Sequence, residues 1–186
     1  MSYYTRDLPH WHPEGRTLFV TWRLFGSLPA IVLRALREKK ISAGRKFLEL
    51  DSVLDRASSG PQWLKDPQIA RCVVDGLQQG EKLAHYRLHA FVVMSNHVHA
   101  LIEPKIAVAK AMNALKGTTA RRANQLLGKT GSHFWQDESF DHWVRNEGEH
   151  ARICAYIEGN PVSAGLAERP EEWPWSSAAL RVRPGA

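Results

Sequence analysis

The sequence has little cysteine and no long apolar run. Only Cys72 and Cys154 are cysteines among 186 residues. Two such distant thiols suggest neither a disulfide framework nor a local zinc motif. The apolar stretches are short, as at residues 91–94, and none could span a bilayer. Because the first residues also lack the apolar run of a secretory signal, we expect a cytoplasmic protein with no membrane association.

Hydrophobic residues, by contrast, make up 44% of the chain, which is enough for a core. A length of 186 residues suits one compact domain. No internal repeat or low-complexity segment divides the sequence. We predict a single domain over residues 1–186, with a helical insertion around residues 40–66 and a C-terminal tail around residues 167–186.

Positive charge and tryptophan are both abundant. The formal net charge is +6, and there are seven tryptophans. Excess Lys and Arg favours a polyanionic partner, because phosphate contacts release condensed counterions. Indole rings near basic residues can stack on unpaired bases, although some of these rings must lie in the core. Composition therefore favours nucleic acid as the partner, but many basic proteins bind none.

The residue patterns predict one sheet with helices. The predicted elements are a strand over 16–25, helices over 29–39 and 66–79, strands over 86–94 and 97–103, a helix over 107–127, a short strand within 133–144 and a helix over 147–160. We expect Gly80 and Pro161 to end the helices that precede them. This order predicts an α+β, ferredoxin-like (RRM-like) antiparallel sheet with helices on one face and a C-terminal tyrosine-bearing helix.

Two histidines are spaced for a common ligand. His97 and His99 lie two apart on a predicted strand, so both side chains point to one face, with their Cα atoms roughly 7 Å apart. Two such imidazoles can converge on a metal ion if a partner holds the second nitrogen of each ring. A histidine triad is not matched, because Leu101 stands where its third histidine would be. The alternative is two unrelated residues in a chain with nine histidines.

The last predicted helix carries a polar strip beside an apolar stripe. Tyr156 and Asn160 share one face at helical spacing, with Ile153 and Ile157 on the adjoining stripe. Tyr156 is either an amphipathic packing residue or a nucleophile. Asn160 favours the second interpretation, because its amide oxygen could reach a metal that also contacts the attacked phosphate. We expect Asn160 to lie in a frayed last turn, because Pro161 follows it.

Four runs of sequence, in consistent order, resemble the single-tyrosine HUH transposases of bacterial insertion sequences, and most closely the REP-associated tyrosine transposases. The runs are MSNHVHALIEP (94–104), FWQDESFDHWVRN (134–146), AYIEGNPVSAGL (155–166) and EWPWSSA (172–178). Two departures are Ser95, where the family commonly has Pro, and Ser163, where it has a basic residue. The second departure removes a potential phosphate contact.

The resemblance implies a function and a site. Tyr156 would be the nucleophile, His97 and His99 metal ligands, and Asn160 the third ligand of a divalent ion, Mg²⁺ or Mn²⁺. The substrate would be single-stranded or hairpin DNA of repeated extragenic palindromes, cut through a 5′-phosphotyrosine intermediate. The resemblance favours a monomer, with exchange of tyrosine helices between two subunits as the alternative.

Basic and aromatic side chains are candidate DNA contacts. We predict backbone contacts from one face of the helix over 107–127, and base stacking by Trp175. The basic residues on that face are Lys110, Lys116, Arg121 and Arg122. The alternatives are a solvated helix face and a tryptophan packed in the core.

Three other functions compete. The first is a sequence-specific nucleic-acid-binding module without catalysis. The second is a metal-dependent hydrolase with a water nucleophile, which would tolerate Tyr156→Phe. The third is a replication initiator or relaxase with the same histidine pair, although these often arrange their tyrosines differently.

Overall fold

The computed structural model describes residues 16–56 and 60–182. Parts of the predicted domain, insertion and tail therefore lie outside the described residues. The elements are β1 (Leu18–Arg23), α1 (Ala30–Glu38), α2 (Ala43–Arg56), α3 (Pro67–Lys82), β2 (Tyr86–Val93), β3 (His97–Pro104), α4 (Val108–Leu126), β4 (Phe140–Trp143), α5 (Glu147–Ser163) and α6 (Ser177–Val182). Short 3₁₀ turns cover Trp63–Lys65 and Pro170–Glu172.

The sheet has four antiparallel strands in the order β2-β3-β1-β4. This order is that of a ferredoxin-like fold and confirms the predicted α+β class. β3 is a central strand, paired with β1 on one side and β2 on the other. Thr21 of β1 lies directly opposite His99 of β3, and Arg23 lies opposite His97.

Helices cover both faces of the sheet. Because side chains alternate along β3, successive residues of this strand point to opposite faces. Val98, Ala100 and Ile102 join α3 and α4 in the larger apolar core. Leu101 points the other way and packs with Ile157 of α5. Because side chains alternate along a strand, His97 and His99 share the face of Leu101. α3 and α4 thus form the predicted helical layer on one face of the sheet. The tyrosine-bearing helix α5 lies on the opposite face, with the two histidines.

Gly80 does not end α3, contrary to our prediction. The helix continues to Lys82, and the left-handed residue that follows it is Ala84, with φ 54°. Gly80 is instead a packing position, because a Cβ there would lie 2.2 Å from the hydroxyl oxygen of Tyr86. That hydroxyl donates to the carbonyl of Leu77. The glycine thus allows β2 to approach α3 closely.

Pro161 does not close α5 either, and the prediction of a frayed Asn160 was wrong. The helix continues through Pro161 to Ser163, and Asn160 is only 2% exposed. The last turn is closed by backbone bonds from Ala164 to Asn160 and from Leu166 to Pro161. Gly165 supplies the left-handed conformation there, with φ 69°. Pro161 has no N–H to donate to the carbonyl of Ile157, four residues earlier, yet the helix continues for two more residues.

Within the predicted insertion, Ala43–Arg56 form α2, which lies on the face of the sheet that carries the histidines. Phe47 of α2 belongs to the apolar cluster that also holds Phe19 and Ile157. Over the described residues, no helix has both the length and the apolar character required to cross a membrane.

Candidate active site

The two histidines of β3 converge as their spacing predicts. The Nε2 atoms of His97 and His99 are 3.1 Å apart, and both residues are 0% exposed. Burial, and then repulsion from His99, lower the pKa of His97 to about 3. His97 is therefore a neutral ring at physiological pH, the form that can bind a metal ion.

Each imidazole is oriented through its second nitrogen. His97 Nδ1 lies 2.7 Å from the side-chain oxygen of Asn96, whose amide nitrogen donates to the carbonyl of Leu54 in α2. Because that oxygen can only accept, Nδ1 of His97 carries the proton. His99 Nδ1 lies 2.7 Å from the hydroxyl of Thr21. Both Nε2 atoms are thus left to face a ligand, which meets the requirement for convergence on one metal ion.

A carboxylate completes the group. Asp51 of α2 places Oδ1 3.1 Å from His99 Nε2 and 3.4 Å from His97 Nε2. Burial opposes its charge, but the two imidazoles and the Tyr156 hydroxyl together hold the pKa of Asp51 below its usual range. Asp51, His97 and His99 are buried and close enough together to bind one metal ion.

Tyr156 reaches the same carboxylate from α5. Its hydroxyl donates a hydrogen bond to Oδ2 of Asp51. The ring packs edge-on against Phe19 and Phe47, with both centroid distances 6.2 Å, and its centroid is 5.8 Å from that of His99. Burial and the charge of Asp51 raise the pKa of Tyr156, so the phenol is protonated in this arrangement.

Asn160 lies one helical turn after Tyr156 and borders the group. Its amide nitrogen is 3.3 Å from Asp51 Oδ2 and 3.4 Å from His99 Nε2. Its Oδ1 is buried without a hydrogen-bond partner among the described residues. Rotation of the amide by 180° would direct that oxygen at the histidines. The structure thus brings together all four residues predicted for catalysis and metal binding.

The predicted DNA contacts lie elsewhere. α4 packs on the opposite face of the sheet, so the sheet separates its basic residues from Tyr156. Lys110, Arg121 and Arg122 are exposed. Lys116 instead donates to the carbonyls of Gln136 and Asp137, at 2.7 and 3.0 Å. Both carbonyls belong to the segment after α4.

Trp175, the predicted stacking residue, is partly buried against the larger core. The guanidinium of Arg71 lies 5.8 Å from its ring centroid. Its backbone carbonyl accepts a hydrogen bond from Val93 at the end of β2. The indole thus already contacts the core and Arg71 within the chain.

Three residues at the site were missed from the sequence. Asp51 had a detectable signal, because it lies between Phe47 and Leu54 at helical spacing, where an acidic residue interrupts an apolar stripe. Asn96 lies between two predicted strands, where an asparagine is an ordinary turn residue. Thr21 carried no signal, because a β-branched residue is ordinary in a strand.

Comparison with known proteins places this site in a family. A family model described as IS200-like transposase matches residues 63–160, which is more than half of the 186 residues. The matched segment contains the histidine pair, Tyr156 and Asn160. Comparison with curated proteins finds no match.

Solved structures are similar in fold. A REP-associated tyrosine transposase bound to a REP hairpin has a TM-score of 0.59 at 20% identity, covering 100% of this chain and 87% of that one. A candidate transposase from Deinococcus radiodurans R1 has a TM-score of 0.37 at 18% identity, covering 86% and 98%. The second likeness is too weak to support an argument.

The first likeness supports the ferredoxin-like fold, and the family match confirms the resemblance seen in the sequence. The chain belongs to the IS200-like transposases and is a DNA-cleaving enzyme of that family.

Proposed function

We propose that this protein cleaves and rejoins single-stranded DNA through a covalent 5′-phosphotyrosine linkage to Tyr156. One observation carries the proposal: the Tyr156 hydroxyl, the Asn160 amide and both histidine Nε2 atoms all border the carboxylate of Asp51. A nucleophile and a set of metal ligands therefore meet at one point. Packing alone would not require two imidazole nitrogens, an acid and a phenol to converge in a buried site.

The residues fit a divalent metal ion. Ligand atoms at about 2.1 Å from one ion and at right angles to each other lie about 3 Å apart. The spacings of 3.1 Å between the two Nε2 atoms and 3.1 Å from His99 Nε2 to Asp51 Oδ1 match that separation. The buried Oδ1 atoms of Asp51 and Asn160, for which no hydrogen bond is present among the described residues, are further acceptors for a cation. We propose Mg²⁺ or Mn²⁺, held by His97, His99 and Asn160, with Asp51 beside them.

The remaining chemistry belongs to Tyr156. When bound, the metal supplies Lewis acidity toward the phosphoryl oxygens. The Tyr156 hydroxyl gives up its proton as its oxygen attacks phosphorus, and the bond from phosphorus to the 3′ oxygen breaks. The leaving oxygen takes up one proton in exchange and becomes a free 3′ hydroxyl. The phosphotyrosine ester keeps the energy of the broken bond, so attack by a 3′ hydroxyl rejoins the strand and returns the proton to Tyr156.

We propose DNA with a hairpin, of the REP type, as the substrate. A structurally similar transposase is bound to a REP hairpin. In this chain Lys110, Arg121 and Arg122 are exposed on α4 and could contact a backbone. Beside them lies a groove of about 820 Å³, lined by residues of α4 and of 132–137. Because Tyr156 reaches the histidines of its own chain, the site is complete in one copy, and we expect a monomer.

The test is cleavage of a labelled hairpin oligonucleotide with a single-stranded flank, in the presence of Mn²⁺. We expect the wild type to cleave and Tyr156→Phe to lose cleavage entirely. Tyr86→Phe is the matched control, because it removes a phenol bonded to Leu77 at a distance from the site. Full cleavage by Tyr156→Phe would indicate a water nucleophile. Binding without cleavage by the wild type would indicate a non-catalytic module.

A further inference from the structure

Helix α2 covers the site. Asp51 and Leu54 of this helix are each 2% exposed and Phe47 is 7% exposed, and the histidines beneath them are 0% exposed. The Phe47 ring lies 6.1 Å from that of His99, and the Leu54 carbonyl accepts from Asn96, which holds His97. A DNA phosphate has no approach to either Nε2 atom while α2 remains in place.

The Asp51 carboxylate occupies the position that the scissile phosphate needs for the reaction. The phosphate that Tyr156 attacks needs its phosphorus beside the phenol oxygen and a non-bridging oxygen toward the metal ligands. Asp51 meets both conditions, with Oδ2 on the Tyr156 hydroxyl and Oδ1 3.1 Å from His99 Nε2. Two anions cannot share this position, so Asp51 and the DNA phosphate exclude each other.

A second acid strengthens the exclusion. Asp55 lies one turn after Asp51, and its Oδ1 is 3.7 Å from His97 Nε2. α2 thus presents two acidic side chains to the histidine pair. An approaching phosphate would meet the negative charge of Asp51 and the bulk of Asp55, as well as the helix itself.

The attachment of α2 suits displacement. In the described part of the chain, α2 has no backbone–backbone hydrogen bond to a strand. Its contacts with the rest of the molecule include the hydrogen bond from Asn96 to the Leu54 carbonyl and the contacts of Asp51. The Phe47 ring also stacks on that of Phe140, with centroids 4.3 Å apart. On its outer side Leu48 is 54% exposed. Such a helix can leave the sheet without breaking a strand pair.

We infer that α2 is an autoinhibitory gate: Asp51 occupies the place of the scissile phosphate, and DNA must displace α2 to reach Tyr156. The inference rests on the proposed function. The gate gives α2 a role. The resting state is then the arrangement described here, in which the protonated Tyr156 is hydrogen-bonded to Asp51. Asp51 is then a ligand of the resting site that the DNA phosphate replaces.

The test uses Asp51→Asn, which keeps the shape of the side chain and removes its charge. With saturating Mn²⁺ and a hairpin oligonucleotide, we expect single-turnover formation of the phosphotyrosine adduct at least about tenfold faster than in the wild type, and tighter DNA binding. Glu49→Gln is the matched control on the same helix, because Glu49 pairs with Lys39 at the surface. This control should react like the wild type. Loss of cleavage in Asp51→Asn with unchanged DNA binding would overturn the gate and make Asp51 a permanent ligand.

A second measurement uses the unmodified protein. Hydrogen exchange of the amides of residues 43–56 should rise when the hairpin oligonucleotide binds. Unchanged or slower exchange there would overturn the gate, whether or not cleavage occurs. Failure of the proposed function would look different: neither the wild type nor Asp51→Asn would form an adduct, while the exchange measurement would still decide whether α2 moves.

Discussion

The hydroxyl of Thr21 lies 2.7 Å from Nδ1 of His99, directly across the β1–β3 pair. This contact fixes the rotation of the imidazole and leaves Nε2 facing Asp51, 3.1 Å away. Partners of this kind commonly change metal affinity by 10- to 100-fold without touching the metal. The strand register therefore helps to orient the imidazole at the proposed metal site.

Thr21→Val should weaken Mn²⁺ binding by roughly 10- to 100-fold, because valine keeps the shape of threonine but offers no polar atom to Nδ1. Thr21→Ser keeps the hydroxyl and should bind Mn²⁺ within a few-fold of the wild type. Calorimetric titration of the metal-free proteins measures both. Equal affinity in wild type and Thr21→Val would show that Thr21 does not orient His99.

His97→Ala should abolish the thermal stabilisation that Mn²⁺ gives, because a ligand stabilises the folded state only if that state binds it. His85→Ala is the control, since His85 precedes β2 at the end of the sheet away from His97. It should keep the full shift in melting temperature. If His97→Ala kept the shift as well, the metal would bind elsewhere.

Asp55 should make stability depend on pH. Burial, and then the charge of Asp51, raise its pKa from 3.8 to about 7. Between these values the folded protein keeps a proton that the unfolded chain releases, so the free energy of unfolding falls as pH rises from about 4 to about 7. Asp55→Asn should remove this loss of stability. At pH 8 its free energy of unfolding should exceed that of the wild type by up to about 4 kcal/mol.

Denaturant unfolding at several pH values measures the Asp55 effect. A chelator must be present, because a bound cation would favour the charged carboxylate. If the free energy of unfolding varied with pH in the same way in wild type and Asp55→Asn, the raised pKa would not belong to Asp55.

Two helical glycines should respond oppositely to alanine. Gly80→Ala should destabilise the fold by about 1–3 kcal/mol, because the new Cβ meets the Tyr86 hydroxyl oxygen at 2.2 Å. Gly117→Ala, in α4, meets nothing within 4 Å and should stabilise by about 0.5–1 kcal/mol. Chemical denaturation distinguishes them. Destabilisation of similar size in both would refute the packing role of Gly80.

Local patterns predicted the parts of the site that lie within single elements. The period of a strand places His97 and His99 on one face, and the period of a helix places Asn160 one turn after Tyr156. The order of strands and helices was enough for the ferredoxin-like sheet. These features depend on residues close together in sequence, where geometry follows from backbone periodicity.

The parts that escaped prediction depend on distant contacts. Asp51 is 105 residues from Tyr156, and only the docking of α2 brings them together. Thr21 acts through a strand register that spans 78 residues. Local preferences favour Gly80 and Pro161 as helix ends, whereas in the fold Gly80 is a packing position and α5 continues through Pro161 to Ser163. The basic face of α4 was predicted without knowing which face of the sheet α4 covers.

The covalent role of Tyr156 can be tested by finding which DNA end the protein keeps, and on which residue. A hairpin oligonucleotide labelled at its 3′ end is incubated with wild-type protein and Mn²⁺, and the protein is then digested and its labelled peptide sequenced by mass spectrometry. Attack by Tyr156 predicts that the label stays with the protein, through a 5′ phosphate on Tyr156, and that the other fragment is free with a 3′ hydroxyl. Cleavage that leaves both fragments free of protein, or a label on any other residue, would contradict it.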